Sequence, residues 1–237
     1  MKKVIILGAT SGIGRELALL YAKKGAKAAI AGRRLRILEE MKGICPEFII
    51  KQIDVTKTTS LAEKLTETAR ELNGLDLLII SAGVGYLNAT LDFSVEKRAI
   101  DTNVLGYTCA CDWAMNYFKN QGSGHLVGIS SIVGLRGSKV YPAYSASKAY
   151  QMTYLEALRQ KVSKWNIPVY ITDIRPGYVD TAMAKGEVVF WVSPVKKAVR
   201  QIFRAIEDKK DIAYITRRWG AVAFILKHLP RALYEQM

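Results

Sequence analysis

Val4-Ile5-Ile6-Leu7-Gly8-Ala9-Thr10-Ser11-Gly12-Ile13-Gly14 is the stretch from which the fold can be read. Four successive apolar residues suit a strand buried on both faces, as in a sheet covered by helices. Three glycines follow at once. Gly8 permits a tight turn, Gly12 lets backbone approach a pyrophosphate, and Gly14 lets the next helix pack closely on the sheet. The helix N-terminus then offers unpaired N–H groups and partial positive charge to phosphates. A strand–turn–helix of this kind predicts a dinucleotide site built on Gly8, Thr10, Ser11, Gly12, Ile13 and Gly14.

The pattern repeats along the chain. Apolar runs at 4–7, 28–31, 48–53, 75–80, 125–129, 169–174 and 212–215 read as strands. Helical periodicity falls between them, at 12–24, 35–41, 60–73, 95–120, 144–165 and 194–207. Alternation of this sort predicts an α/β fold: a doubly wound, Rossmann-type parallel sheet of about seven strands with helices on both faces and right-handed crossovers. With no linker, repeat or low-complexity segment in sight, residues 1–237 are expected to form a single domain.

Composition narrows the function. The chain has 237 residues, 35 Lys and Arg against 21 Asp and Glu, 2 His and 3 Cys. Two histidines remote from Cys109 and Cys111 cannot easily complete a zinc site, so no metal is expected. Cysteines without framework spacing read as reduced thiols of a cytoplasmic protein. Met1-Lys2-Lys3 and the apolar run after it superficially resemble a signal peptide, but Gly8, Thr10 and Ser11 cut the apolar part short. No run approaches the roughly 18 residues of a spanning helix. The net charge of +14 is spread over the surface, with ten Lys and Arg against four Asp and Glu after residue 193. Neither zinc-finger spacing nor an aromatic RNA-binding signature accompanies it, so nucleic acid is not an expected partner.

The end of the second strand bears on the cofactor. An acid near this point would bond a ribose 2′-hydroxyl, but the chain reads Ala31-Gly32-Arg33-Arg34. Arginine pairs with a 2′-phosphate and an acid would repel it, which favours NADP(H). Arg33 is the first candidate, with Arg34 or Arg36 assisting.

Tyr144-Ser145-Ala146-Ser147-Lys148 places a tyrosine and a lysine one helical turn apart on the same face. Such a pair arises by chance in a chain with 12 Tyr. Its weight comes from context: the glycine turn, then Ser131 just past an apolar strand, then Tyr144 and Lys148 opening a long helix. Doubly wound sheets bind ligands at the C-terminal ends of their strands, so these groups are expected to converge there.

On these motifs the sequence resembles the short-chain dehydrogenase/reductase family, in its compact single-domain branch, over nearly the whole chain from Lys3 to about Ile215. The resemblance implies carbonyl reduction, or alcohol oxidation in reverse, by hydride exchange with a nicotinamide. Tyr144 is then the proton donor. Lys148 stabilises its phenolate and holds the nicotinamide ribose, and Ser131 bonds the substrate oxygen. Asn103, in Asp101-Thr102-Asn103-Val104, positions a water linking Lys148 to solvent. Asp54 and Val55 match the adenine-contacting pair, Ala82 and Gly83 approach the cofactor, and Pro176, Gly177, Val179 and Thr181 match the nicotinamide-side segment. The long helices imply a homodimer or homotetramer. Two departures stand out: Leu7 replaces a threonine, and Ile80-Ser81-Ala82-Gly83 replaces Asn-Asn-Ala-Gly. An apolar pair there is expected to exchange a hydrogen bond for packing, without unpaired backbone groups.

Residues 181–194 correspond to the family's substrate lid. Their apolar content, with Val84, Tyr86, Leu135, Val140, Tyr141 and Tyr178 nearby, suggests an apolar ketone or aldehyde as substrate. Val84, Tyr141, Tyr178, Met183, Phe190 and Trp191 are the candidate contacts. In the 217–237 extension, Trp219, Val222, Leu226, Leu229 and Leu233 form a helical stripe, with a break expected at Pro230. Three destinations stay open for it: the substrate pocket, a second subunit, or an anionic membrane face, peripheral on the inner side. Two alternatives stand beside a reductase of a small apolar carbonyl: a non-catalytic NADP(H)-binding regulator, and a membrane-surface reductase of a lipid-linked ketone.

Overall fold

Alternate residues of the first strand leave for opposite faces. Ile5 and Leu7 join one apolar core with Leu61, Leu65, Phe118 and Leu155, while Val4 and Ile6 join another with Leu17, Leu38, Val199 and Ile202. This is the two-residue period of a strand, here with both sets buried. The structure, a computed structural model, describes residues 1–184 and 191–236.

The described strands are β1 (Lys3–Leu7), β2 (Lys27–Gly32), β3 (Ile49–Gln52), β4 (Leu77–Ile80), β5 (Gly124–Ile129), β6 (Val169–Pro176) and β7 (Ile212–Ile215). They form a seven-stranded sheet in the order β3-β2-β1-β4-β5-β6-β7, every pair parallel. Helices α3 (Thr58–Leu72), α5 (Tyr107–Gln121) and α6 (Pro142–Val162) cover one face. Helices α1 (Gly12–Lys23), α2 (Leu35–Ile44) and α7 (Val195–Glu207) cover the other. The doubly wound parallel sheet expected from the apolar runs is present. Its strand order reverses between β1 and β4, and a crevice opens at such a point.

Two of the differences from the predicted helix spans have local reasons. The predicted helix over 95–120 consists of α4 (Phe93–Ile100), a π-helical stretch at Asp101–Gly106 and α5. Wider turns of this kind often mark functional positions, and Asn103 lies in this one. Helix α6 begins at Pro142, because proline is pre-set for the first helical position and needs no N–H partner there.

Beside Leu7 and Ile80 the backbone is paired. Ser81 N donates to Leu7 O at 2.9 Å and Gly8 N to Ala31 O at 2.9 Å, and the two side chains lie buried on the α3–α5–α6 side. Near the C-terminus, α8 (Arg218–His228) and α9 (Arg231–Tyr234) are separated at Pro230. Among the described residues no helix is long and apolar enough to cross a membrane. All three cysteines are free thiols.

Candidate active site

At the strand-order reversal, Gly8 turns with φ +84°, and a Cβ there would lie 2.5 Å from Ala82 N. Only glycine lets the β1 turn sit so close to the end of β4. A Cβ on Gly14 would lie 2.4 Å from Gly8 O, so α1 packs directly on the turn. These two approaches leave a shallow backbone cradle at the N-terminus of α1 that suits a pyrophosphate. From it a cavity of about 790 Å³ runs along the strand ends, lined at one end by Gly8, Thr10, Ser11, Gly12, Ile13, Arg33 and Arg34. Asp54, Val55, Ala82 and Gly83 also line it. Ser131, Tyr144, Lys148, Pro176 and Gly177 line the far end; Val179 and Thr181 line it too, and a Cβ on Gly12 would lie 3.1 Å from Thr181 Cγ2.

The two arginines after β2 behave differently. Arg34 is braced by the turn: Nη2 donates to Thr10 Oγ1 at 2.6 Å and to Ser11 Oγ at 2.9 Å, and Nε donates to Thr10 Oγ1 at 3.1 Å. Arg33 is exposed on the cavity rim. Arg36, read from the sequence as a possible helper, points elsewhere and pairs with Glu40 at 3.4 Å. Asp54 is held by Thr56, whose N and Oγ1 donate to its Oδ1 at 3.0 and 2.9 Å.

At the far end, burial dominates the electrostatics. It pushes the Tyr144 phenol up to about 12, with the Ser131 hydroxyl pulling the other way. It pushes Lys148 down to about 8, with the Asp173 charge acting in opposition. The chain's own groups therefore keep Tyr144 protonated at neutral pH. Lys148 Nζ lies 5.7 Å from the centre of the Tyr144 ring. It donates to Ile129 O and to Gln151 Oε1, both at 2.9 Å. Beneath the site, buried Asp173 accepts from Ser130 Oγ at 2.5 Å and from Arg175 Nε at 2.6 Å. The Ser130 bond ties the end of β5, and hence Ser131, to β6, while the Asp173–Arg175 pair lies within β6 itself.

Several expectations need correcting. Asn103 is fully buried and does not line the cavity. Its carboxamide clamps Val84, accepting from Val84 N at 2.9 Å and donating to Val84 O at 2.7 Å, and it also donates to Ser147 Oγ at 3.0 Å. Its main-chain oxygen accepts from Gln151 Nε2 at 2.9 Å. Gly14 serves packing and is not a wall of the cavity. Of the substrate candidates, Val84, Tyr141, Tyr178 and Met183 line the cavity. Trp191 does not: it is half exposed, edge-on to Trp219 and beneath Arg218. Tyr86 carries Arg98 over its ring, Leu135 packs beside Ile132 and Trp219, and Val140 is exposed, so these three are also outside the lining. Phe190 lies outside the described residues, as does the middle of the 181–194 segment.

The C-terminal stripe turns inward. Trp219, Val222, Leu226 and Leu229 line the cavity, together with Ile225 and Tyr234, while Leu233 is exposed. Arg136 fastens this roof, donating from Nε to Leu226 O at 2.8 Å and from Nη2 to Leu229 O, with its guanidinium over the Tyr234 ring. Sequence reasoning missed Arg136, Gln151 and Gly85. A Cβ at Gly85 would lie 3.0 Å from the Tyr144 ring. A usable signal existed for Gln151: it is a polar residue on the same helix face as Tyr144 and Lys148, continuing toward buried Leu155.

Comparison with known proteins agrees with this architecture. A sequence model described as short chain dehydrogenase matches residues 2–188. An uncharacterized oxidoreductase of Myxococcus xanthus is 37% identical over 190 residues, 77% of this chain and 74% of that protein. A Burkholderia phymatum short chain dehydrogenase/reductase in complex with NAD superposes with a TM-score of 0.83 at 18% identity, covering 94% of this chain and 92% of the other. An alcohol dehydrogenase from the archaeon Thermococcus sibiricus, complexed with 5-hydroxy-NADP, gives 0.79 at 21% identity, covering 91% and 96%. The chain belongs to the short chain dehydrogenase family. It is an oxidoreductase of that family.

Proposed function

We propose that this chain uses NADPH to reduce an apolar ketone or aldehyde, or oxidises the matching alcohol in reverse. The observation that carries the reading is one continuous cavity: a glycine turn at one end, and Ser131, Tyr144 and Lys148 at the other beneath an apolar roof from α8.

The cradle fits a dinucleotide, because the close approaches at Gly8 and Gly14 leave backbone, not side chains, facing the space. Its pyrophosphate would lie on the Gly8–Gly14 turn, its adenine near Asp54 and Val55, and a 2′-phosphate beside Arg33 and Arg34. Asp54 is already engaged with Thr56, and no acid stands at the end of β2 to favour a free 2′-hydroxyl. A nicotinamide held there by Lys148 and the segment after β6 would supply the hydride for the carbonyl carbon. The Ser131 hydroxyl hydrogen-bonds the carbonyl oxygen and Tyr144, held protonated by burial, donates its proton to that oxygen. Lys148 then stabilises the tyrosinate that remains. Trp219, Val222 and Leu226 exclude water and favour an apolar substrate body.

Turnover of a panel of apolar ketones and aldehydes with NADPH, in the wild type and in Tyr144→Phe, tests the reading. Wild-type turnover lost by at least about a thousandfold in the variant, with NADPH binding retained, is the expected result. Tight NADPH binding without turnover on any carbonyl would instead indicate a dinucleotide-binding regulator.

A further inference from the structure

Two buried groups one helical turn apart on α6 and a third from the π-helical stretch meet behind Tyr144. Lys148 Nζ donates to Gln151 Oε1 at 2.9 Å, and Gln151 Nε2 donates to Asn103 O at 2.9 Å. Gln151 and Asn103 are fully buried and Lys148 is 4% exposed. The orientation of the Gln151 amide follows from its neighbours. Turned the other way, its NH₂ would face an ammonium and its oxygen would face a carbonyl, so both contacts would be repulsive. Lys148 also donates to Ile129 O at 2.9 Å, which leaves one of its three hydrogens for the cavity. The main chain of the π-helical stretch at Asn103 and the face of α6 that carries Lys148 are thus joined through Gln151, beside the Asn103 Nδ2–Ser147 Oγ bond.

We propose that Gln151 is a positioning residue of the reaction, holding Lys148 charged and aimed at the Tyr144 hydroxyl by anchoring it to the main chain of Asn103. The consequence for turnover rests on the reductase reading above; the effect on Lys148 does not. An amide that accepts from an ammonium favours the charged lysine. Burial works against that charge, and the other charged or titratable groups facing it are Asp173 from β6, shared with Arg175, and Tyr144 from α6. Gln151 supplies the neutral side-chain acceptor, beside the main-chain carbonyl of Ile129. Because it bonds through an amide, it fixes orientation and does not pass a proton onward.

Two variants separate the contacts. Gln151→Met keeps the length and removes both hydrogen bonds, whereas Gln151→Glu keeps an acceptor toward Lys148 but cannot donate to Asn103 O. The titration of Lys148 is followed in the cofactor-free protein by NMR of ¹⁵N-lysine, with its resonance assigned by its loss in Lys148→Met. Gln151→Met is expected to lower that titration by about one pH unit and Gln151→Glu to raise it. The alkaline limb of kcat should move the same way, with KM for the carbonyl within about twofold. A Gln151→Met protein with unchanged lysine titration and pH profile, only melting earlier, would overturn the proposal. If that variant does not fold, a Gln151→Glu protein titrating like wild type overturns it equally. Absence of wild-type turnover on every carbonyl would remove the reductase reading alone, and the lysine titration would still decide the role of Gln151.

Discussion

The indole of Trp219 occupies the space that a side chain at Gly177 would need. A Cβ on Gly177 would lie 2.2 Å from the ring. The backbone past β6 and the first turn of α8 are therefore in contact, and the cavity roof starts from that contact. Gly177→Ala is expected to displace α8 and cost about 1–3 kcal/mol by overpacking. Substrate KM should rise while NADPH affinity changes little. Thermal unfolding and a fluorescence titration of NADPH check both halves, and a variant with wild-type Tm and KM would contradict the packing argument.

The second prediction concerns the roof's fastener. Arg136 ties the last turn of α8 and the chain after it to the loop beyond β5 through Leu226 O and Leu229 O. Arg136→Ala should free these carbonyls and raise KM for a large apolar substrate by about tenfold, consistent with losing charge-assisted hydrogen bonds. kcat for a small carbonyl should stay near wild type. Limited proteolysis is expected to cut the variant first within 217–237; equal protease resistance in the two proteins would argue that the clasp is not needed.

Cofactor choice is tested at the two arginines after β2. Arg34 is held by Thr10 and Ser11, and Arg33 stands exposed on the rim. Alanine at either position should weaken NADPH binding by about 10–100-fold, the range for losing a charge-assisted contact to a phosphate. NADH binding should change by less than about threefold, because it has no 2′-phosphate. Calorimetry of both dinucleotides reads the difference directly. Parallel losses for the two would show that the arginines serve the shared part of the molecule.

A fourth prediction follows from His125, which is buried between strands and bonded to Thr172 Oγ1 at 2.8 Å. Burial, and secondarily the charges of Lys2 and Lys209, push its imidazolium down to about 3. The unfolded chain therefore binds a proton near pH 6.5 that the folded chain refuses until about pH 3. Stability is fully present above about pH 6.5 and is lost as pH falls through that window, by at most about 1.4 kcal/mol per pH unit. Urea unfolding of wild type and His125→Gln at pH 7 and pH 5 should show a steeper acid loss in the wild type. Equal slopes would mean that the histidine is not held neutral.

Much of this site was legible because its chemistry is local. The Gly8 turn, the paired arginines and the Tyr144–Lys148 spacing each lie within a few residues, and backbone geometry fixes how such neighbours face one another. The stripe on α8 was legible only as a need for an apolar partner. Amphipathicity states that a face must be covered, not by what, so the substrate cavity, a second subunit and a membrane looked alike until Trp219 was found against Gly177. Trp191 was misplaced for a related reason: apolar character near a ligand segment does not say whether a side chain points inward.

The sequence by itself determined the alternating strands and helices, the parallel sheet and the cradle at Gly8–Gly14, since these follow from periodicities of two and 3.6 residues and from the absence of a Cβ. Only the tertiary structure decided that Gln151 reaches Asn103 across 48 positions and that Arg136 reaches Leu226 across 90. Contacts so far apart in the chain depend on how helices seat on the sheet, and side-chain packing, not spacing, sets that seating.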